Sequence, residues 1–185
     1  MAHFGDPHIV RYGVPIKLRH LKTGHALHSH LINYTTGSHQ QEVTCFAERD
    51  DNDWWIIKGP HSDHRFNAAI GSPVLNHHVV RLEHALTGKN LHSHLNVHSP
   101  ATQQQEVTAF GEFGIGDIND EWRVDLANAE PGLPWRVEHQ LKLLHVATNH
   151  HLHSHNGQHT HSHQQEVTCF GGNDDNDLWV VDFNA

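Results

Sequence analysis

Leu27-His28-Ser29-His30 is the stretch on which the reading of this chain turns, because the same four residues return as Leu91-His92-Ser93-His94 and Leu152-His153-Ser154-His155. Each copy is followed by one pentapeptide, Gln40-Gln41-Glu42-Val43-Thr44, then Gln104 to Thr108, then Gln164 to Thr168. The copies lie 64 and 61 residues apart, so the chain is one unit written three times. A fixed period of this length sets the architecture before any local assignment is made.

The register extends in both directions. Upstream, His20 and Thr23 match His84 and Thr87, then His145 and Thr148. Downstream, Phe46 matches Phe110 and Phe170, and Asn52-Asp53, Asn119-Asp120 and Asn176-Asp177 each stand just before Trp55, Trp122 and Trp179. The differences fall where loops belong. Repeat 2 inserts Phe113-Gly114-Ile115-Gly116, and repeat 3 is one residue shorter after its Leu-His-Ser-His.

A chain of 185 residues can bury a core without help from metal or disulfide. Cys45 and Cys169 occupy one position of repeats 1 and 3, where repeat 2 has Ala109, so both read as small buried apolar residues and not as a pair. Twelve Lys and Arg against 21 Asp and Glu give a net charge of −9, and the basic residues do not cluster, which argues against nucleic acid as a partner. Full protonation of the 24 histidines would carry that charge to +15. Met1 to Pro7 shows no basic-then-apolar leader, and no apolar run is long enough to span a bilayer. The expectation is a soluble monomer, cytoplasmic by default unless the chain is a piece of a larger secreted or membrane protein.

Within each repeat the apolar residues alternate, as in Val14 to Leu18 and Val80 to Leu82, which is the rhythm of strands. Gly24, Gly88 and Asn149 sit at one turn position and tolerate a left-handed backbone. Each unit then predicts four strands: one ending near His20, one through Leu-His-Ser-His, one through Gln-Gln-Glu-Val-Thr and one through the Trp. Three such all-β units, at about 10–58, 77–124 and 135–183, close best as a β-trefoil, a single domain over 1–185, since closure removes exposed edges. The shared core is expected from Leu27, Leu91 and Leu152, Val43, Val107 and Val167, and the three repeat-end tryptophans. Gly59–Asn76 and Asp125–Pro134 read as connecting loops.

The string His-x-x-Thr-Gly-x-x-Leu-His-Ser-His, then Gln-Gln-Glu-Val-Thr, then Asn-Asp-x-Trp resembles the MIR domain. That is the β-trefoil module of protein O-mannosyltransferases, stromal-cell-derived-factor-like proteins, and inositol-trisphosphate and ryanodine receptors. Repeat 2, from Arg81 through Val124, is especially similar to the mannosyltransferase version. The resemblance covers roughly residues 10–183 and implies a role near protein O-mannosylation or glycoprotein handling.

No nucleophile context or isolated acid pair marks a catalytic centre, and a residue repeated threefold reads as structure or as a binding position, so no enzyme activity and no cofactor is expected. In Leu-His-Ser-His the two histidines fall opposite Leu and Ser; with Leu inward they point outward or toward a neighbouring loop. Two readings stand. His28, His30, Gln41, Glu42, His92, His94, Gln105, Glu106, His153, His155, Gln165 and Glu166 either satisfy one another and hold the repeats in register, or frame three shallow pockets for a polar ligand. A mannose-containing glycan or glycosylated polypeptide suits such pockets, with Trp54, whose slot varies between repeats, as an outward platform and Trp135 as a second aromatic candidate, for which packing under a linker is the equal alternative. A protein-interaction or chaperone-adaptor module is the alternative. An evolved metal site is not expected, because no defined ligand spacing is present. The weak candidates are His151, His153 and His155 facing His159, His161 and His163 across a turn at Asn156-Gly157-Gln158, a cluster that also raises pH sensing.

Overall fold

A computed structural model of the chain describes residues 6–61 and 69–182. Residues 1–5, 183–185 and the stretch 62–68 of the expected Gly59–Asn76 connection lie outside the described residues. The alternation in the sequence becomes thirteen strands in one sheet. Repeat 1 holds β1 (Pro15–Ile16), β2 (Leu18–His20), β3 (Ala26–Asn33), β4 (Gln41–Phe46) and β5 (Trp55–Lys58). Repeat 2 holds β6 (Val79–His84), β7 (Asn90–His98), β8 (Gln105–Phe110) and β9 (Trp122–Leu126). Repeat 3 holds β10 (Leu141–His145), β11 (His150–His159), β12 (Gln165–Phe170) and β13 (Trp179–Val181). Four strands per unit is the expected count, with the first strand of repeat 1 interrupted at Lys17.

The first and last strands of the repeats pair in a ring: β1 with β5, β5 with β6, β6 with β9, β9 with β10, β10 with β13, and β13 with β2. The middle strands form three hairpins, β3–β4, β7–β8 and β11–β12. Their second strands then pair with one another, Glu42 opposite Thr108, Glu106 opposite Thr168 and Glu166 opposite Thr44. A closed six-strand barrel capped by three mutually paired hairpins is the β-trefoil, and it leaves no strand of the ring with a free edge.

All nine expected core residues, three each of Leu, Val and Trp, have no exposed surface. Each indole Nε1 donates to the carbonyl of the leucine in its own Leu-His-Ser-His, Trp55 to Leu27 at 3.0 Å, Trp122 to Leu91 at 2.9 Å and Trp179 to Leu152 at 3.0 Å. The polar atom that a buried Trp brings is thereby used to join the fourth strand to the second. Cys45 and Cys169 are free and buried, and burial pushes both thiols up to about 12. Gly24, Gly88 and Asn149 take φ of +75°, +67° and +57° at the same turn.

Two expectations are corrected. Trp135, a candidate ligand platform, is fully buried: Val10, Val74 and Trp135 occupy one slot and bond in a ring, Val10 N to Trp135 O at 2.8 Å, Trp135 N to Val74 O at 2.8 Å and Val74 N to Val10 O at 3.0 Å. Val10 and Trp135 at the starts of repeats 1 and 3 and Val74 in the segment before repeat 2 thus add three apolar side chains to the core. Asn156-Gly157-Gln158 is not a turn either. Strand β11 runs through it to His159, and the mismatch with β12 is absorbed as an irregularity between Ser154 and His159, as in the other two hairpins. His151, His153 and His155 therefore do not fold back against His159, His161 and His163.

Candidate functional site

The first histidine of each Leu-His-Ser-His does not point to solvent. His28, His92 and His153 are buried, at most 3% exposed, because the face opposite the leucine is covered by a one-turn 3-10 helix, Asp51–Asp53, Ile118–Asp120 or Asp175–Asp177. Each such turn is capped by the acid before it, Asp50, Asp117 or Asp174, and its last aspartate reaches back to that cap's N–H. The same aspartate's other oxygen accepts from the histidine Nδ1: Asp53 from His28 at 2.9 Å, Asp120 from His92 at 2.6 Å and Asp177 from His153 at 2.8 Å. The phenylalanine ending the third strand closes over the imidazole, with ring centres 4.8 to 5.0 Å apart. A cation stands behind two of the aspartates, Lys17 at 3.8 Å from Asp53 and Lys142 at 3.3 Å from Asp177, while His61 lies 2.9 Å from Asp120. Burial would raise the Asp177 carboxyl, but the bonds from His153 and the Asp174 N–H, with the charge of Lys142, hold it below its ordinary value.

The second histidine is half-buried and leans on the first, His28 Nε2 to His30 Nδ1 at 3.1 Å and His153 Nε2 to His155 Nδ1 at 3.1 Å, while in repeat 2 His92 Nε2 meets His94 Nε2 at 2.6 Å. Burial and the neighbouring ring lower the affinity of His94 and His155 for a proton. Repeat 1 alone continues the chain, His30 Nε2 donating to Glu42 at 2.9 Å. Burial pushes the Glu42 carboxyl up, and the bonds from His30, Ser162 and Thr160 more than reverse it.

The Gln-Gln-Glu residues turn to the neighbouring repeats. Gln40 accepts from Thr108, Gln104 from Thr168 and Gln164 from Thr44, at 2.5 to 2.6 Å. Gln41 donates to Ser29 of its own repeat and Thr87 of the next, Gln105 to Ser93 and Thr148, Gln165 to Ser154 and Thr23. Each Glu closes the hairpin turn of the repeat before it: Glu106 accepts from Ser38, Glu166 from Ala101 N at 2.8 Å and Thr102 Oγ1 at 2.7 Å, and Glu42 from Ser162 and Thr160. The upstream histidines complete the circuit. His20 Nε2 donates to the Asn176 carbonyl, His84 to Asn52 and His145 to Asn119, each at 2.9 Å, while Nδ1 takes the hydroxyl of Thr23, Thr87 or Thr148 at 2.8 Å. That polarity needs neutral rings, and burial pushes His20 and His145 down to about 4 and His84 in the same direction. The Asn-Asp pair, read in the sequence only as a repeat ending, thus serves both histidines.

Of the expected ligand-binding residues, His28, His92, His153, Gln41, Gln105, Gln165, Glu42, Glu106 and Glu166 are buried in this network; His30, His94, His155 and Trp54 keep some surface. Trp54 carries the Lys17 ammonium 4.7 Å from its ring centre. Concave surface lies at two of the repeat boundaries. Between repeats 3 and 1, Lys22, Thr23, His25, His155, Asn156 and Asn176 line a cleft of about 600 Å3. Between repeats 1 and 2 the equivalent place, about 370 Å3, is lined by Leu31, Leu86, Thr87, Lys89, Glu112 and Phe113. Of the six, only His155 stood among the expected ligand-binding residues; Thr23 and Asn176 are repeated residues read only for register, while Lys22, His25 and Asn156 lie in positions that differ from repeat to repeat. That very difference was the signal. Each His28, His92 and His153 also lies beside two aspartates within metal-ligand distance, but the capping N–H groups and the imidazole already occupy those oxygens.

Residues 27–133 match the MIR domain family. A stromal cell-derived factor 2-like protein of Dictyostelium discoideum is 44% identical over 147 residues, covering 77% of this chain and 66% of that protein. The crystal structure of the SDF2-like protein from Arabidopsis thaliana superposes with a TM-score of 0.87 at 34% identity over 95% of both chains. In the S. cerevisiae O-mannosyltransferase Pmt1-Pmt2 complex bound to the sugar donor, 25% of one chain matches 94% of this one at 33% identity and a TM-score of 0.80. The barrel and cap also recur in a designed threefold-symmetric protein, at 18% identity and a TM-score of 0.55, which bears on the fold alone. The chain spans about two thirds of the Dictyostelium relative and a quarter of the yeast transferase chain. Its repeats, closure and homology together make it a member of the MIR domain family, with the β-trefoil fold.

Proposed function

We propose that this module recognises a mannose-containing glycan or a glycosylated polypeptide, at the cleft between repeats 3 and 1. The observation that carries the reading is the lining: six polar side chains, with none of the apolar residues found at the boundary between repeats 1 and 2. A sugar needs fixed donors and acceptors in a concave site of this size. His155 supplies one whose orientation is set behind it by His153 and Asp177. Thr23 is held by His20 and Gln165, so the buried signature residues act on the ligand through the half-exposed ones. His30 and His94 hold the corresponding places in the other repeats, and Trp54 stands apart as a platform of repeat 1. Kinship with a transferase module and with stromal-cell-derived-factor-like proteins supports the ligand class.

Titration with a mannose disaccharide, followed by amide resonances, tests this. Shifts at Thr23, His155 and Asn156, lost in Asn156→Ala with its fold intact, are expected. No shift at millimolar sugar would abandon the reading for the protein-interaction one. That second reading has its own observation, the apolar boundary between repeats 1 and 2, where Leu31, Leu86 and Phe113 are 82%, 61% and 91% exposed.

A further inference from the structure

A separate cleft of about 920 Å3 lies on the outer wall of the barrel, where β13 runs beside β2. Val137, Val180 and Val181 contribute apolar surface, and Arg19, Arg49 and Arg136 bring three of the chain's twelve cations to its lining. In a protein of net charge −9, that concentration needs a reason. Two of the three guanidinium groups are matched within the fold. Arg49 binds Asp182 at 2.6 Å, and Arg136 binds Glu138 at 2.6 Å and Asp6 at 2.8 Å. Arg19 is half-buried opposite Val180, and among the described residues no hydrogen bond or ion pair reaches its guanidinium.

Arg19 also departs from the repeat. Its counterparts are Glu83, paired with Lys58, and Leu144, which is 6% exposed. The position is therefore satisfied by a paired charge or by an apolar side chain elsewhere in the same fold, and closure does not ask for an unpaired cation there. A guanidinium held on an apolar floor presents a planar fork of donors that suits one oxyanion. Arg49 and Arg136 are already matched by Asp182, Glu138 and Asp6, so Arg19 carries the one unmatched positive charge of the lining, which suits a monoanion better than a doubly charged group.

We propose that Arg19 anchors a binding site for a carboxylate borne by an extended polypeptide, the acidic side chain bonded to Arg19 and a neighbouring apolar side chain laid on Val137, Val180 and Val181. The occupant is an acidic-apolar peptide segment, and the site is independent of the polar cleft between repeats 3 and 1.

The test follows the Arg19 Nε and the Val180 and Val181 resonances of the whole chain during titration with acetyl-Glu-Val-amide, acetyl-Gln-Val-amide, acetyl-Glu-Gly-amide and inorganic phosphate. The Glu-Val peptide should saturate all three resonances at millimolar concentration. It should weaken at least tenfold when Glu becomes Gln or Val becomes Gly, and in Arg19→Gln, with Arg19→Lys in between. Phosphate acting as strongly as Glu-Val, equal effects of Glu-Val and Gln-Val, or no response to any peptide would overturn the proposal. The peptide series decides the matter even if Arg19→Gln were to unfold.

Discussion

The most exacting demands on single residues fall on buried ionisable groups. Asp120 has no exposed surface and receives the His92 imidazole, the Asp117 N–H and the Asn90 amide, so removing its carboxylate strips several partners at once. Losing one member of a buried charged pair costs about 3–5 kcal/mol. Asp53→Ala, Asp120→Ala and Asp177→Ala should each lower the free energy of unfolding by about that much, against small effects at an exposed residue such as Asp51. The upstream histidines give the pH dependence its sign. His20 and His145 are held neutral with affinities pushed down to about 4, and His84 is lowered too, whereas in the unfolded chain each titrates near its ordinary value. Between about pH 6.5 and 4 the unfolded state binds more protons, so stability falls with falling pH, by up to about 1.4 kcal/mol per pH unit for each such histidine. Urea midpoints at pH 7.5 and 5 check this, and His20→Gln with His145→Gln should flatten the curve. A profile unchanged in that double variant would contradict the assignment.

At the scale of elements, the hairpins are joined by side chains reaching across repeat boundaries. Glu166 in β12 closes the turn at Ala101 and Thr102, so Glu166→Ala should speed hydrogen exchange of those two amides while leaving β12's own strand partners, β4, β8 and β11, protected. Exchange that rises equally throughout would mean that the carboxylate supports the whole fold and not one turn. Strand number and order were legible in the sequence because alternation and the left-handed turn residues Gly24, Gly88 and Asn149 are local signals. The face the histidines take was legible too, but what covers it was not. Alternation assigns His28 to the face opposite Leu27, but a 3-10 turn from Asp51 to Asp53 covers that face, and nothing within the strand announces a cover that arrives from 25 residues away. The continuous course of β11 through Gly157 was hidden for a like reason. A glycine inside a polar run reads as a turn, and only the common irregularity of the three hairpins shows it as part of a bulged strand.

At the scale of the molecule, period alone gave the fold, since three units that each expose a Leu, a Val and a Trp have to close on one another. Any one of Trp55→Ala, Trp122→Ala or Trp179→Ala should cost about 3–5 kcal/mol and leave unfolding a single transition, because all three indoles share one core. The division between scaffold and site follows from the same symmetry. Residues repeated three times are mostly consumed in closure, and what distinguishes one cleft from another is the residues that differ, Lys22 against Leu86, Asn156 against Leu31, and Arg19 against Glu83 and Leu144, beside the repeated Thr23, His155 and Asn176. In the sequence the preserved polarity left two partners open, a ligand or the protein itself; in the structure His28, His92 and His153 bond within their own repeat, and the Gln and Glu residues bond across repeat boundaries.

The most direct check is equilibrium urea denaturation of Asp53→Ala, Asp120→Ala and Asp177→Ala beside the unchanged chain. Comparable losses of about 3–5 kcal/mol in all three, each in a single transition, are expected if the repeated acid–imidazole pairs hold the trefoil closed. Three variants as stable as the parent would show that these groups are not scaffold, and would return them to the ligand.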